Sequence, residues 1–226
     1  MKIIDKISLK ISRVISNIDY WKKVFIVYLT QNKKFEIKRG YIHKIEYSYF
    51  NDTTNTDNWQ LEVYLRAKEF AVKLNTSTMV DYGCGSGFKL IKYFPEYNTV
   101  GLDVSPTVDF LLEKYPNKKW YNIKDFEKLE LDSEIVICAD VIEHVLNPEE
   151  LLNNIKKIKN IKYLFVSTPD RNLLPKAKYG PPINQTHIRE WSFEEFNKYI
   201  SKHFFIEEHY ISNPSQQTQL IIAQIK

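Results

Sequence analysis

The residues with types and spacing for ligand chemistry begin at Asp81. Asp81, Gly83, Gly85 and Gly87 form an acidic-x-Gly-x-Gly-x-Gly run, and Val100-Gly101-Leu102-Asp103 follows it. Glycine tolerates positive φ and lets a ligand approach the backbone closely. Three glycines at alternate positions strip one tight turn of side chains, so its amides and those of the next helix can face an anionic or polar ligand. Position 88 is Phe88, so the run is not a dinucleotide fingerprint, and it lacks the Lys-Ser/Thr ending of a phosphate loop. In an open α/β sheet, a carboxylate ending the second strand is placed to accept hydrogen bonds from ribose hydroxyls, which makes Asp103 a candidate. His144 and His187 titrate near neutrality, so either could take a proton from an acceptor hydroxyl. Their plainer readings are a backbone hydrogen bond for His144 and a contact to the following capped helix for His187.

These residues need elements to position them. Met79–Tyr82 reads as a short buried strand running into the glycine turn, and Phe88–Phe94 as the helix after it, ended by Pro95. Further strands are expected at 98–103, 119–122, 134–139 and 161–167. The fourth of the five is continuously apolar, as in a parallel sheet buried on both faces. Ser105-Pro106 and Asn147-Pro148-Glu149-Glu150 read as helix starts. Ser192-Phe193-Glu194-Glu195 reads as a capping box, with Trp191 and Phe196 as its hydrophobic staple. Residues 168–185 form a long loop with four prolines, of a length that is usually functional. Two terminal strands, 204–211 and 219–225, complete seven. The fold class predicted is α/β: a Rossmann-like, seven-stranded, mostly parallel sheet flanked by helices, with a helical N-terminal extension.

Charge divides the chain of 226 residues. Residues 1–40 hold ten basic and three acidic side chains, a net +7, while the rest carries −3. Ile3, Ile4, Ile7, Ile11, Val14, Ile15 and Ile18 recur at helical spacing, and a second segment from Tyr20 to about Asn32 is also amphipathic. A pair of helices is expected there. It could pack on the domain or on a second subunit as a homodimer contact, or attach to an acidic membrane surface or partner. Residues 40–60 are aromatic and polar, and Trp59 is expected to open a helix reaching Leu74. We therefore divide the chain into an arm and cap, 1–75, and a domain, 76–226. Hydrophobic residues at 43% and charged residues at 27% fit a globular protein. No apolar run reaches the length of a membrane span, and no signal-peptide pattern is seen. Cys84 and Cys138 read as reduced core thiols, which points to a cytoplasmic location.

The glycine turn with Asp103 resembles the cofactor site of the class I S-adenosylmethionine-dependent methyltransferases, over about residues 78–168. Asp140-Val141-Ile142-Glu143-His144 and His187-Ile188-Arg189-Glu190-Trp191 resemble the small-molecule branch, which includes ubiquinone-pathway and sugar-tailoring O-methyltransferases. The resemblance implies S-adenosylmethionine as cofactor and an antiparallel last strand. It implies Asp81, Gly83, Cys84, Gly85 and Gly87 at the methionine end, with Asp103 and Val104 at the ribose. Asp125 and Phe126 would flank adenine, although Asp125 also reads as a surface helix cap. Ala139, Asp140, Trp59 and Gln60 would complete the cofactor site. Tyr49 and Tyr64, with Arg189, would serve the substrate side and cap, or the aromatics would fill the seam between arm and domain. Asp140, Glu143 and His144, at helical spacing, resemble a Glu-x-x-Glu-His cluster that holds a divalent cation in some of those enzymes. The Pro-Pro-aromatic motif usual in amide and nucleobase methylation is absent after the fourth strand, so nucleic acid, DNA above all, is not the expected partner, while the basic arm leaves RNA or a carrier-bound substrate open. The implied activity is methyl transfer to a small-molecule hydroxyl of a sugar, nucleotide-sugar or other biosynthetic intermediate. The alternatives are a membrane-associated quinone or lipid methyltransferase and an idle cofactor-binding partner subunit.

Overall fold

The structure, a computed structural model, describes residues 3–56, 58–174 and 178–226; the side chains of 3–13, 27, 28 and 31 fall outside the description. The apolar face expected at Ile3, Ile4, Ile7 and Ile11 lies among those side chains. Seven strands form one sheet: β1 (Thr78–Tyr82), β2 (Asn98–Asp103), β3 (Lys119–Asn122), β4 (Ile135–Ala139), β5 (Tyr163–Pro169), β6 (Phe204–Asn213) and β7 (Thr218–Ile225). Their order is β3-β2-β1-β4-β5-β7-β6. The first five run parallel, and β7 inserts antiparallel between β5 and β6.

Alternation along the strands builds two cores. Val80, Tyr82, Val136, Cys138, Leu164 and Val166 face one side, packing with α5 (Pro148–Lys156) and α6 (Phe193–Ser201) and with Phe35, Ile37 and Tyr41. Met79, Ile135, Ile137, Ala139 and Phe165 face the other, against α2 (Leu61–Leu74), α3 (Phe88–Tyr93) and α4 (Thr107–Lys114). β4 is buried at every position because it lies mid-sheet with helices on both faces. The capping box of α6 forms, and Trp191 meets Phe196 at 5.9 Å between ring centroids.

Three local expectations change. The arm is one helix, α1 (Ile3–Lys34), not a pair, because no glycine or proline interrupts it. Trp59 does not open α2: Gln60 takes a left-handed φ of 57° and the helix starts at Leu61. Ser105-Pro106 precedes α4 without a side-chain cap, and the helix begins at Thr107.

After α1 the chain turns and is clasped into the core. Asn32 donates to the carbonyls of Lys38 and Tyr41. The Trp191 indole donates to the Phe35 carbonyl at 2.8 Å, and the Lys38 amide donates to Glu195 at 2.8 Å. Two buried guanidinium groups complete the clasp, Arg171 over the Tyr41 ring and Arg189 over the Phe35 ring, each at 4.6 Å.

Candidate active site

The glycine turn lies where the sheet order reverses, between β1 and β4, at the carboxyl ends of the parallel strands. Open α/β sheets bind ligands at this position. Gly83, Gly85 and Gly87 have φ of 87°, 53° and 67°. A Cβ at Gly83 would collide with Val141, and one at Gly85 with Asp52, so these two glycines admit close neighbours as well as the turn. Gly87 instead lets α3 approach Trp120 and Leu111. Asp103 fixes the turn to β2: its carboxylate accepts from the amides of Gly85 at 2.8 Å and Val104 at 2.7 Å. Burial nevertheless pushes Asp103 up to about 6, with Asp52 adding to the rise.

Gly83, Cys84, Gly85, Asp103, Val104, Ala139 and Asp140 line one cleft, together with Tyr49, Gln60 and Tyr64. Its volume is about 140 Å³, below the roughly 300–1,000 Å³ usual for ligand sites. Residues 47–52 of the cap lie over it and take up the space. Asp81 sits below the lining: it is buried, accepts from the Tyr64 hydroxyl at 2.9 Å, and is raised by burial to about 7. Tyr64 is therefore a buried support for Asp81, not a mobile cap residue. Tyr49 reaches from the cap to Thr107 at 2.7 Å.

A second cavity, about 690 Å³, adjoins this cleft. Phe50, Asp52, Gln60, Asp140 and His144 line both. Trp59, Glu143, His187, Glu190 and the β6–β7 turn complete its wall. Asp140 stands at the junction with a left-handed φ of 52°, a conformation that costs about 1 kcal/mol or more in a non-glycine residue. Its carboxylate accepts from Ser167 at 2.6 Å and from the Gln60 amide at 3.1 Å, tying the cap to the sheet.

Asp140, Glu143 and His144 do not share a helical face, because the left-handed turn at Asp140 prevents a helix. His187 takes the place given to Asp140: Glu143, His144 and His187 each offer a ligand atom, all within 4.8 Å of one another. Each is oriented from behind. Thr168 donates to Glu143 at 3.1 Å, and His144 Nδ1 meets the Thr186 carbonyl at 3.1 Å. His187 Nδ1 meets Glu190 at 2.8 Å, while its Nε2 accepts from the Asn184 amide at 3.0 Å. Such a partner fixes the tautomer of His144 and leaves its Nε2 free, whereas His187 would have to exchange Asn184 for a ligand at Nε2. Glu143 Oε1 is buried without a hydrogen-bond partner, and burial holds that carboxyl well above its ordinary range. His144 is pushed down to about 4 by burial and by His187, which keeps it neutral at pH 7. A buried carboxyl with an unused oxygen beside a neutral imidazole fits a cation better than a vacant polar pocket would.

The remaining expected residues lie elsewhere. Asp125 is on the outside, paired with Lys128 at 2.5 Å, because it falls in the 3₁₀ turn Ile123–Lys128. Phe126 is buried in the core against Tyr82, 6.1 Å between centroids, and Ile123 lines the cleft instead. Arg189 is buried, giving its guanidinium to the carbonyls of Val145 at 2.6 Å and Leu146 at 2.8 Å. It belongs to the clasp and lines neither cavity. Sequence reasoning missed Lys89, Asp52 and Glu190. Lys89, in the first turn of α3, lines the cleft under the field of Asp81 and Asp140, with its ammonium 5.3 Å from the Tyr64 ring. Its place just after the glycine turn was the available signal.

Residues 58–219 match the model of a family described as a methyltransferase domain. Among curated proteins, the small RNA 2′-O-methyltransferase of Arabidopsis thaliana is 30% identical over 174 residues, 59% of this chain and 18% of that protein. The ubiquinone biosynthesis O-methyltransferase of Coxiella burnetii is 26% identical over 158 residues, covering 58% and 67% of the two chains. Among solved structures, the Burkholderia thailandensis 1,6-didemethyltoxoflavin-N1-methyltransferase, with S-adenosylhomocysteine bound, superposes with a TM-score of 0.55 at 14% identity. That match covers 75% of this chain and 81% of the other, and shows a shared fold. With more than two thirds of its length in the family match, the chain belongs to the methyltransferase domain family and is an S-adenosylmethionine-dependent methyltransferase.

Proposed function

We propose that this chain methylates a hydroxyl of a small-molecule acceptor, a sugar, nucleotide-sugar or other biosynthetic intermediate held in the 690 Å³ cavity. The observation that carries the reading is the wall shared by the two cavities. Asp140 and His144 face both, so an acceptor bound there lies next to the cofactor cleft. The glycine turn and Asp103 hold the cofactor, and residues 47–60 exclude water from the transfer. Residues 1–75 act as arm and cap, and 76–226 as the transfer domain.

S-adenosylmethionine supplies a methyl carbon already activated by its sulfonium, so transfer needs alignment, an ionised acceptor oxygen and the return of one electron pair to sulfur. Glu143, His144 and His187 would hold a divalent cation, which would lower the pKa of a bound hydroxyl. Glu190 keeps His187 in the required tautomer, and Thr168 directs Glu143. The 2.8 Å contact of His187 with Glu190 also favours a second reading: an acceptor hydroxyl displaces the Asn184 amide from His187 Nε2, which then takes the acceptor proton directly while Glu190 holds the ring.

Transfer of labelled methyl to hydroxylated and aminated acceptors, with Mg²⁺ or with EDTA, tests both. Loss of activity in EDTA, restored by a divalent cation, supports the cation reading. EDTA-insensitive activity lost in His187→Ala supports the second. Transfer to amines alone, unaffected in His144→Ala and His187→Ala, overturns both. In His144→Ala we expect transfer to fall about 100-fold, with calorimetric cofactor affinity within threefold of the parent.

A further inference from the structure

The methyl-transfer site makes no use of α1, yet this helix carries the most apolar surface exposed among the described residues. Val14, Ile15, Ile18, Trp21, Ile26 and Leu29 are between 49% and 59% exposed. They recur at helical spacing along one face, whereas Val24, roughly a third of a turn from Ile18, is buried. The apolar residues on the stripe thus face outward, while Val24, off it, faces inward; Tyr20, also off it, is 39% exposed. A groove of about 480 Å³ runs along the stripe between Val14, Ile18 and Trp21, with Lys22 on its edge. No helix among the described residues is long and apolar enough to cross a membrane.

We propose that this face of α1 docks on an anionic lipid surface. A helix with bulky apolar and aromatic residues on one face and lysines within and beside that face, as Lys22 and Lys23 are, lies in the plane of a bilayer interface. Charge selects this occupant over a second copy of the chain. Residues 1–40 carry a net +7. Placing two such arms side by side would bring like charges together, with Lys22 beside the seam. Anionic headgroups answer that charge, and the aliphatic stem of Lys22 can lie along the apolar face while its ammonium reaches the headgroups.

The test is co-sedimentation of the full chain with vesicles of phosphatidylcholine alone or with about one third phosphatidylglycerol, at low and high salt. We expect binding to the anionic vesicles only, abolished by high salt. Binding should fall at least tenfold in Ile18→Ser/Leu29→Ser and, by charge reversal, in Lys22→Glu/Lys23→Glu. Cofactor affinity, measured by calorimetry, should be unchanged in both variants and shows that they are folded. Trp21→Phe should bind as the parent does but lose part of the blue shift in tryptophan fluorescence. Equal sedimentation with neutral and anionic vesicles, or with neither, overturns the proposal. So does a dimer in velocity sedimentation that Ile18→Ser/Leu29→Ser converts to monomer while vesicle binding is absent, because the face would then belong to a second copy.

Discussion

The clasp at residues 35–43 and the cap at residues 47–60 follow one another in the same extension, yet they are held by different physics. The clasp is part of the core. Phe35, Ile37 and Tyr41 are buried with α5 and α6, and the Arg189 and Arg171 guanidinium groups sit under it. Their terminal nitrogens donate to carbonyls and Glu195, while each Nε is buried without a partner. The cap rests on the cleft through a few polar bonds, chiefly Tyr49 to Thr107 and Gln60 to Asp140, and through Phe50 stacked on His144 at 5.8 Å. Removing a clasp contact leaves buried groups unsatisfied, whereas lifting the cap returns its groups to water. One half of the extension is therefore held as core, and the other by contacts that water can replace.

The largest effect that distinguishes them is in stability. Arg189→Met strands the carbonyls of Val145 and Leu146 and should cost about 3 kcal/mol in urea unfolding. A loss below about 0.5 kcal/mol, the range of ordinary surface changes, would mean that the clasp is held by apolar packing alone. Next is Asp103→Ala, which frees the glycine turn from β2. We expect S-adenosylmethionine affinity to fall at least about tenfold by calorimetry, since charge-assisted bonds contribute about 1.5–3 kcal/mol; unchanged affinity would remove Asp103 from the site.

A smaller effect is in pH. Asp103 and Asp81 are raised to about 6 and about 7, so the folded protein holds these protons more tightly than the unfolded chain. Their protonation stabilises the fold below the unfolded carboxyl value of about 4, and that contribution is lost as pH climbs through 6 and 7. Unliganded protein should unfold at lower urea near pH 8 than near pH 5.5, and S-adenosylmethionine, being cationic, should narrow the gap more than S-adenosylhomocysteine. A gap that both ligands narrow equally would separate these carboxyls from the sulfonium. The smallest effect is Asp125→Ala, which should leave cofactor affinity within twofold, because this side chain is paired outside the cleft.

How far the sequence reveals this arrangement follows from the range of the forces involved. β4 is legible because its short continuous apolar run is of parallel-sheet type, while β5 is legible with its bounds two residues early. The glycine turn and Asp103 are legible because backbone conformation and strand ends are local. His187 beside Glu143 is not, since the two are 44 positions apart and no periodicity in residues 178–190 announces the contact. Arg189 misleads for the opposite reason. A charged residue is normally exposed, and only the carbonyls of Val145 and Leu146 and the ring of Phe35 make its burial tolerable. α1 shows that amphipathic pattern alone does not say where a helix stops.

The shared wall between the two cavities has a kinetic consequence. Phe50, Asp52 and Gln60 line the smaller cleft and at the same time form part of the larger cavity, the proposed cofactor and acceptor sites. On that assignment the cap would have to rise for the cofactor to enter and settle again for the acceptor to find a complete pocket. Turnover should therefore be sequential with a compulsory order, cofactor first on and its product last off. S-adenosylhomocysteine should then inhibit competitively against S-adenosylmethionine and non-competitively against the acceptor.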